Sequence, residues 1–253
     1  HTVVMREALA RQADFIWLLN NDTIVAPDTL TKLVSQMEVD PQCGSISPLI
    51  CALHDCKVVD FWGAWHDWES LTSRQAERLE ASRQLQADDA RIAWNYGTAV
   101  LFRVAAIRQI GLLEEEYFAY LEDDDIGIRL ARAGWANRVC FEARIQHRRA
   151  TSEHFDRPPY YFYLITRNSF GFWNEHTLNP FRRSLDRRLL CDALMTAASL
   201  RSKGLHNSAN ACLLGALHGL LRQFGPPNLE PHPPAWIRLA SRLPFRVLKK
   251  LSA

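Results

Sequence analysis

Short apolar runs alternate with helix-patterned segments along the first 150 residues, and this alternation narrows the fold more than any other feature. "TVVMREALARQA" carries Val4, Ala8 and Leu9 on one helical face, and "FIWLL", Phe15–Leu19, follows as a buried strand. "APDTLTKLVSQME" reads as a helix, with Pro27 and Asp28 in its first turn and Leu30, Leu33, Val34 and Met37 at helical spacing. "GSISPLIC", "VVDFWGAW", "IAWNYGTAVLFRV" and "ANRVCFEARIQH" read as further strands. "AAIRQIG" and "IGIRLARAG" read as helices stopped by Gly111 and Gly134. The charged stretch 69–91 reads as a solvated helical excursion or a mobile loop. Strands and helices in alternation predict an α/β sheet with helices packed on it.

The 253 residues are 47% hydrophobic, enough for one large domain with appendages. A net charge of +2 argues against a dedicated nucleic-acid binder. The cysteines at 43, 51, 56, 140, 191 and 212 lack paired Cys-x-x-Cys spacing, which fits reduced thiols better than structural zinc. Cys51, His54 and Cys56 are the weak zinc alternative. No apolar run approaches the roughly 18–20 residues of a membrane span, and no signal peptide is visible. The chain opens at His1 within a helix-like segment, so residues are expected upstream.

Two polar clusters interrupt this pattern. The strand Phe15–Leu19 runs straight into Asn20, Asn21 and Asp22, carrying polar groups to the rim where open α/β sheets bind ligands. A turn-capping role explains that cluster nearly as well. In "YLEDDDIGIRLARAGW", Glu122, Asp123, Asp124 and Asp125 are consecutive ahead of an expected helix, with Asp125 and Arg129 at helical pair spacing. A surface helix start accounts for an acidic run, but this one follows the apolar "YFAYL". Crowded carboxylates raise one another's affinity for protons, as a general base requires. His147 stands at a strand end, where a hydrogen-bonded histidine and a metal ligand are both open readings.

"WLLNNDTIV", "YLEDDDIGIRLARAGW", His147 followed by Ser152, and "YYFYLITRNSF" together resemble the inverting glycosyltransferases of family 2, in the rhamnosyltransferase-like and galactofuranosyltransferase-like branch. The resemblance spans roughly residues 1–225. It implies a GT-A-like (Rossmann-like) mixed sheet flanked by helices, N-terminally truncated before its nucleotide-binding strands, with a C-terminal helical region. It implies a manganese or magnesium cofactor, a UDP- or dTDP-sugar donor, and a glycan or lipid-linked acceptor in cell-surface polysaccharide synthesis. By this resemblance Asp123 is the base, supported by Glu122 and Asp125. Asp22 and His147 are metal ligands, and Asn20, Asn21, Gly97 and Thr98 contact the donor. Trp94, Arg129 and Arg167 serve the acceptor or the sugar, with Arg167 and Asn168 matching a recurrent Arg-Asn pair.

The expected organisation is a catalytic domain over 1–158, a helical region over 159–225, and a Pro-rich linker with a basic tail over 226–253. In that tail Trp236, Leu239, Leu243 and Val247 share a face, and Pro244 would kink a single helix. Two readings of the tail stand: a peripheral membrane contact through 236–251, or a basic helix packed on the domain. The expected location is cytoplasmic, at the inner face of the plasma membrane. The rival functions are a non-catalytic nucleotide-sugar or glycan-binding module of the same fold, and a nucleotidyl- or phosphoryl-transferring enzyme. The latter lacks the Gly-x-x-x-x-Gly-Lys loop.

Overall fold

The structure is a computed structural model that describes residues 1–53, 55–87, 94–148, 157–177 and 184–252. The chain forms two compact units, His1–Glu114 with Asp123–Ala150 and Glu115–Glu122 with Thr151–Ala253. His54, the side chain of Cys56, and Ser152 lie outside the described residues, so the weak zinc alternative and the Ser152 motif have no structural account.

The first unit is built on a mixed sheet. Its strands are β1 (Phe15–Leu19), β2 (Thr23–Val25), β3 (Cys43–Ala52), β4 (Asp55–Phe61), β7 (Ala99–Arg103) and β8 (Ala136–His147). They run in the order β1-β7-β3-β8-β2, with β4 pairing β3 off this path. Among the described strands of this sheet only β3 and β8 pair in parallel; the other ladders are antiparallel. The central strand β3 is buried on both faces from Cys43 to Cys51, so even its polar Ser45 and Ser47 are enclosed. Pro48 is tolerated there because the β3–β8 register shifts between Pro48 and Leu49.

Side-chain alternation along the strands divides the core in two. Ile16, Leu18, Val100 and Phe102 join Met5 of α1 (Thr2–Ala10), Ile107 of α4 (Val104–Ile110), and Ile126 and Leu130 of α5 (Glu122–Arg132). The intervening Phe15, Trp17 and Leu101 meet Leu33 and Met37 of α2 (Thr29–Val39). Helices thus cover both faces of the sheet.

Several local expectations shift. Met5, not Val4, is the buried anchor of α1, and Val4 is exposed. Leu30 is likewise exposed, while Thr29 is buried and donates to the Arg144 carbonyl at 2.8 Å. "VVDFWGAW" divides between β4 and β5 (Ala64–Asp67). The charged stretch from 69 contains β6 (Thr72–Gln75), paired with β5, and α3 (Leu79–Ala87) with Leu85 buried. The helix matches the helical excursion expected there, whereas the hairpin was not expected, because the fully exposed β6 needs no apolar sequence.

The second unit holds α6 (Pro159–His176), α7 (Leu185–Ser202), α8 (His206–Leu220), α9 (Ala235–Ala240) and α10 (Phe245–Ser252). Small residues let α6 and α8 approach closely. A Cβ on Gly215 would stand 2.3 Å from the Tyr163 carbonyl oxygen, and one on Gly219 would stand 2.6 Å from the Phe170 ring. Pro244 does not kink one long helix. It separates two short ones, accepting from the amides of Val247 and Leu248 at the start of α10.

The thiols Cys43 and Cys212 are buried, and burial pushes them up to about 12 and about 11. They are unreactive near neutrality. Gly215→Ala is expected to destabilise the protein by about 2–4 kcal/mol, since its new methyl meets backbone that cannot move aside. Equilibrium denaturation in urea measures this; an unchanged midpoint would refute the close helix contact.

Candidate active site

Strand ends bring the first polar cluster together. β1, β3 and β8 finish at the same end of the sheet, where Ala52 and Thr23 both pair with His147. The Asn20 amide donates to the Thr98 carbonyl at 2.9 Å, so the turn after β1 is fixed against the segment entering β7. Thr23 Oγ1 closes the same turn on the Asn20 carbonyl at 2.7 Å. Asp22 Oδ1 and His147 Nε2 lie 3.3 Å apart, with the Asp22 side chain 43% exposed.

The second cluster meets the first through one backbone amide. Gly97 N–H donates to Asp123 Oδ2 at 3.0 Å, and Asp124 N–H donates to Asp123 Oδ1 at 3.1 Å. A Cβ on Gly97 would stand 3.6 Å from the Asp123 side chain, an ordinary van der Waals contact, so the backbone lies beside the carboxylate without depending on glycine. Asn20, Thr98, Gly97 and Asp123 therefore form one connected edge, and Asp22 and His147 continue it. Asn21 is exposed in the same turn.

The acidic run is the first turn of α5, not a segment ahead of it. Successive residues on a helix point about 100° apart, which separates the charges. Asp124 and Asp125 turn inward, at 4% and 5% exposure, while Asp123 stays partly exposed. Asp125 takes the expected partner: Arg129 Nε donates to Oδ2 at 2.8 Å. The same guanidinium donates to the carbonyls of Ile110 and Leu112 at 2.9 and 2.8 Å. These bonds make Arg129 a brace for α5 and the loop after α4, a correction to the expected sugar contact.

Asp124 has a partner that the sequence reading missed. His66 Nε2, on β5, donates to Asp124 Oδ1 at 2.7 Å, and Ser73 Oγ, on β6, donates to the same oxygen at 3.1 Å. The His66 side chain is wholly buried. The β5–β6 hairpin is thus clamped to the residue next to Asp123. Below the helix, Asn137 donates to the Gly127 carbonyl at 2.9 Å and accepts from Ser45 Oγ at 2.6 Å. Asn95 donates to that hydroxyl at 3.0 Å. Each of these residues is isolated in sequence, so no spacing announced it.

Trp94 is also corrected. It is 3% exposed, packed against Phe61, His66 and Tyr96, and so is closed to a sugar. The partly exposed aromatics of this cluster are Trp68, beside His66, and Tyr96, stacked on Phe61. Tyr96 also accepts from the Gln75 side chain.

Within the second unit, Arg167 is fully buried. Its guanidinium donates to the carbonyls of Gly225 at 2.6 Å and Tyr117 at 3.0 Å, and lies over the Tyr163 and Phe224 rings. Burial pulls its pKa below the ordinary arginine value. Asn168 donates to the carbonyls of Tyr117, Ala119 and Tyr120. Those bonds hold a loop in which Phe118, Tyr120 and Leu121 adopt φ of 64°, 68° and 72°. Left-handed backbone at three non-glycine residues is costly and persists only when neighbours enforce it. The Arg-Asn pair thus secures the loop that ends in Glu122, and Arg167 is a positioning residue rather than a sugar contact.

Asp22 and His147 offer one carboxylate and one imidazole, and no group of three or more metal-ligating side chains occurs among the described residues. This set fits a divalent cation whose other positions are filled by substrate oxygens and water.

Comparison with known proteins places this geometry in a lineage. Two curated relatives, from Mycobacterium tuberculosis strains CDC 1551 and H37Rv, are each named N-acetylglucosaminyl-diphospho-decaprenol L-rhamnosyltransferase. Each is 28% identical over 215 residues, covering 74% of this chain and 66% of the relative. The chain thus spans just under two thirds of the length of the curated relatives it matches. Among solved structures, a mannosyltransferase from Pyrobaculum calidifontis in complex with GDP-Man and Mn2+ matches at 14% identity and a TM-score of 0.46, covering 88% of this chain and 67% of that one. That likeness is too remote to bear on the site. The profile of the glycosyltransferase like family 2 matches residues 1–168, and on that match the chain belongs to this family, with its mixed α/β, GT-A-type architecture.

Proposed function

We propose that this protein transfers a sugar from a nucleotide-sugar donor to a lipid-linked glycan acceptor, with inversion at the anomeric carbon. One observation carries the reading: the Asp123 carboxylate is fixed by the Gly97 amide on the same sheet edge as the Asp22–His147 pair. Such an edge offers a base and a cation-binding corner side by side. The acceptor class follows the relatives, whose name specifies a decaprenol-linked diphosphate sugar.

Asn20 and Asn21 supply amide groups to the donor's ribose and phosphates. Asp22 and His147 would hold a divalent cation, manganese or magnesium, which when bound neutralises charge on the leaving diphosphate. The acceptor hydroxyl attacks the anomeric carbon as the diphosphate departs. Asp123 takes the hydroxyl proton through its carboxylate. The Gly97 amide and the Asp124 amide fix the orientation of that carboxylate before the acceptor arrives. One displacement with no covalent intermediate inverts the centre. Glu122, at the head of α5, and Asp125, braced by Arg129, keep the helix start in place. Gly97 and Thr98 border the donor, and Tyr96 and Trp68 take the stacking role first expected of Trp94.

Asp123→Asn is expected to lower kcat by about 10²–10⁴-fold while nucleotide affinity stays within a factor of two or so. Single-turnover sugar transfer and tryptophan-fluorescence titration with UDP, dTDP and GDP read the two effects separately; undiminished turnover removes Asp123 as the base. Asp22→Ala is expected to abolish the manganese enhancement of nucleotide quenching, and an intact enhancement counts against its ligand role. His66→Gln should lower kcat by about 10–100-fold with little change in donor KM, because it loosens the residue beside the base and not the donor contacts. A change confined to KM would instead assign the hairpin to donor binding.

A further inference from the structure

The C-terminal segment is both anchored and unsatisfied. Ile237 of α9 and Leu248 of α10 are buried, at 0% and 1% exposure. α9 packs on α8, α10 packs on α7, and Ser241 Oγ between them accepts from Arg201 Nη1 at 2.5 Å. The tail is therefore a folded part of the second unit, as one sequence reading expected. Yet Trp236, Leu239, Leu243, Phe245, Val247 and Leu251 remain 39–65% exposed. They are six of the sixteen large hydrophobics exposed among the described residues, gathered in one short segment, so they form a concentration and not ordinary scatter.

Within the segment the charge is of one sign. Arg238, Arg242, Arg246, Lys249 and Lys250 are all exposed, and no acidic residue occurs after Glu230. Burial, and then the nearby Arg242 and Arg238, pull the Arg201 pKa below its ordinary value. Positive charge is crowded here without an acidic residue in the segment to relieve it. Basic side chains alone would suit any polyanion, and single-stranded bases stack on aromatic rings, but nucleic acid offers nothing to the exposed aliphatic Leu239, Leu243, Val247 and Leu251. Aromatic and aliphatic groups interleaved with Arg and Lys on short surface helices suit the boundary between lipid headgroups and acyl chains. No described helix is long and apolar enough to cross a membrane, so the contact is peripheral.

We propose that the outer face of residues 236–251 docks on the surface of an anionic phospholipid bilayer. Ile237 and Leu248 hold the two helices to the unit, while Trp236, Leu239 and Phe245 enter the interface and Arg238, Arg242, Arg246 and Lys250 meet headgroup phosphates. This surface is independent of the donor site, so its failure would leave the transferase reading standing.

Vesicle flotation of the whole chain tests it. Vesicles of phosphatidylcholine alone are compared with vesicles containing about one third phosphatidylglycerol. Partitioning onto the anionic vesicles is expected to be at least about tenfold stronger and to weaken with added salt. Trp236→Ser with Phe245→Ser, and separately Arg242→Glu with Arg246→Glu, should each reduce it by about tenfold or more, with the melting temperature and nucleotide binding unchanged. Equal partitioning onto both vesicle types, or no loss in either double variant, overturns the proposal. Salt-sensitive binding to a duplex or single-stranded oligonucleotide that survives the Trp236→Ser and Phe245→Ser pair would reassign the face to polyanions in general.

Discussion

The hydrogen bond from the Gly97 amide to the Asp123 carboxylate is the joint on which the site depends. It links two segments 26 residues apart, one entering β7 and the other opening α5. Because the Asn20 amide already binds the Thr98 carbonyl, the same joint connects the acidic helix to the turn that carries Asp22. A backbone donor suits this task. It cannot rotate away, and it adds no charge beside the carboxylate.

Around that joint the neighbouring acids are disposed of one by one. Four carboxylates in a row would repel in an extended chain, yet the helix turns each toward different surroundings. Asp125 is given to Arg129 and Asp124 to His66 and Ser73, both in buried settings. Asp123 remains partly exposed on the working edge. The buried pairs contribute specificity of placement more than raw stability, since desolvation offsets much of their attraction. The His66 clamp also gives the β5–β6 hairpin a purpose: it ties a polar insertion to the helix start beside Asp123, the proposed base.

Arg167 and Asn168 show the same economy in the second unit. Their donors go to backbone carbonyls of a loop with three left-handed residues, a conformation that local preference alone would abandon. The resemblance expected Arg167 to serve the acceptor or the sugar, whereas here the Arg-Asn pair satisfies a strained turn.

The sequence by itself determined the alternation of strands and helices, the polar rim after Phe15–Leu19, and the pairing of Asp125 with Arg129. These are local: periodicity of two or of 3.6, and the four-residue spacing of one helix face, are written along the chain. The family motifs likewise lie in contiguous stretches. What only the tertiary structure decided are relations across long separations and questions of burial. His66 meeting Asp124, Asn95 and Asn137 meeting at Ser45, Trp94 enclosed and not exposed, and Met5 preferred over Val4 depend on which faces the sheet covers. The tail shows both limits together. Its basic and apolar composition is plain in the sequence, but only packing on α7 and α8 decided that Ile237 and Leu248 face inward and Trp236 and Phe245 outward.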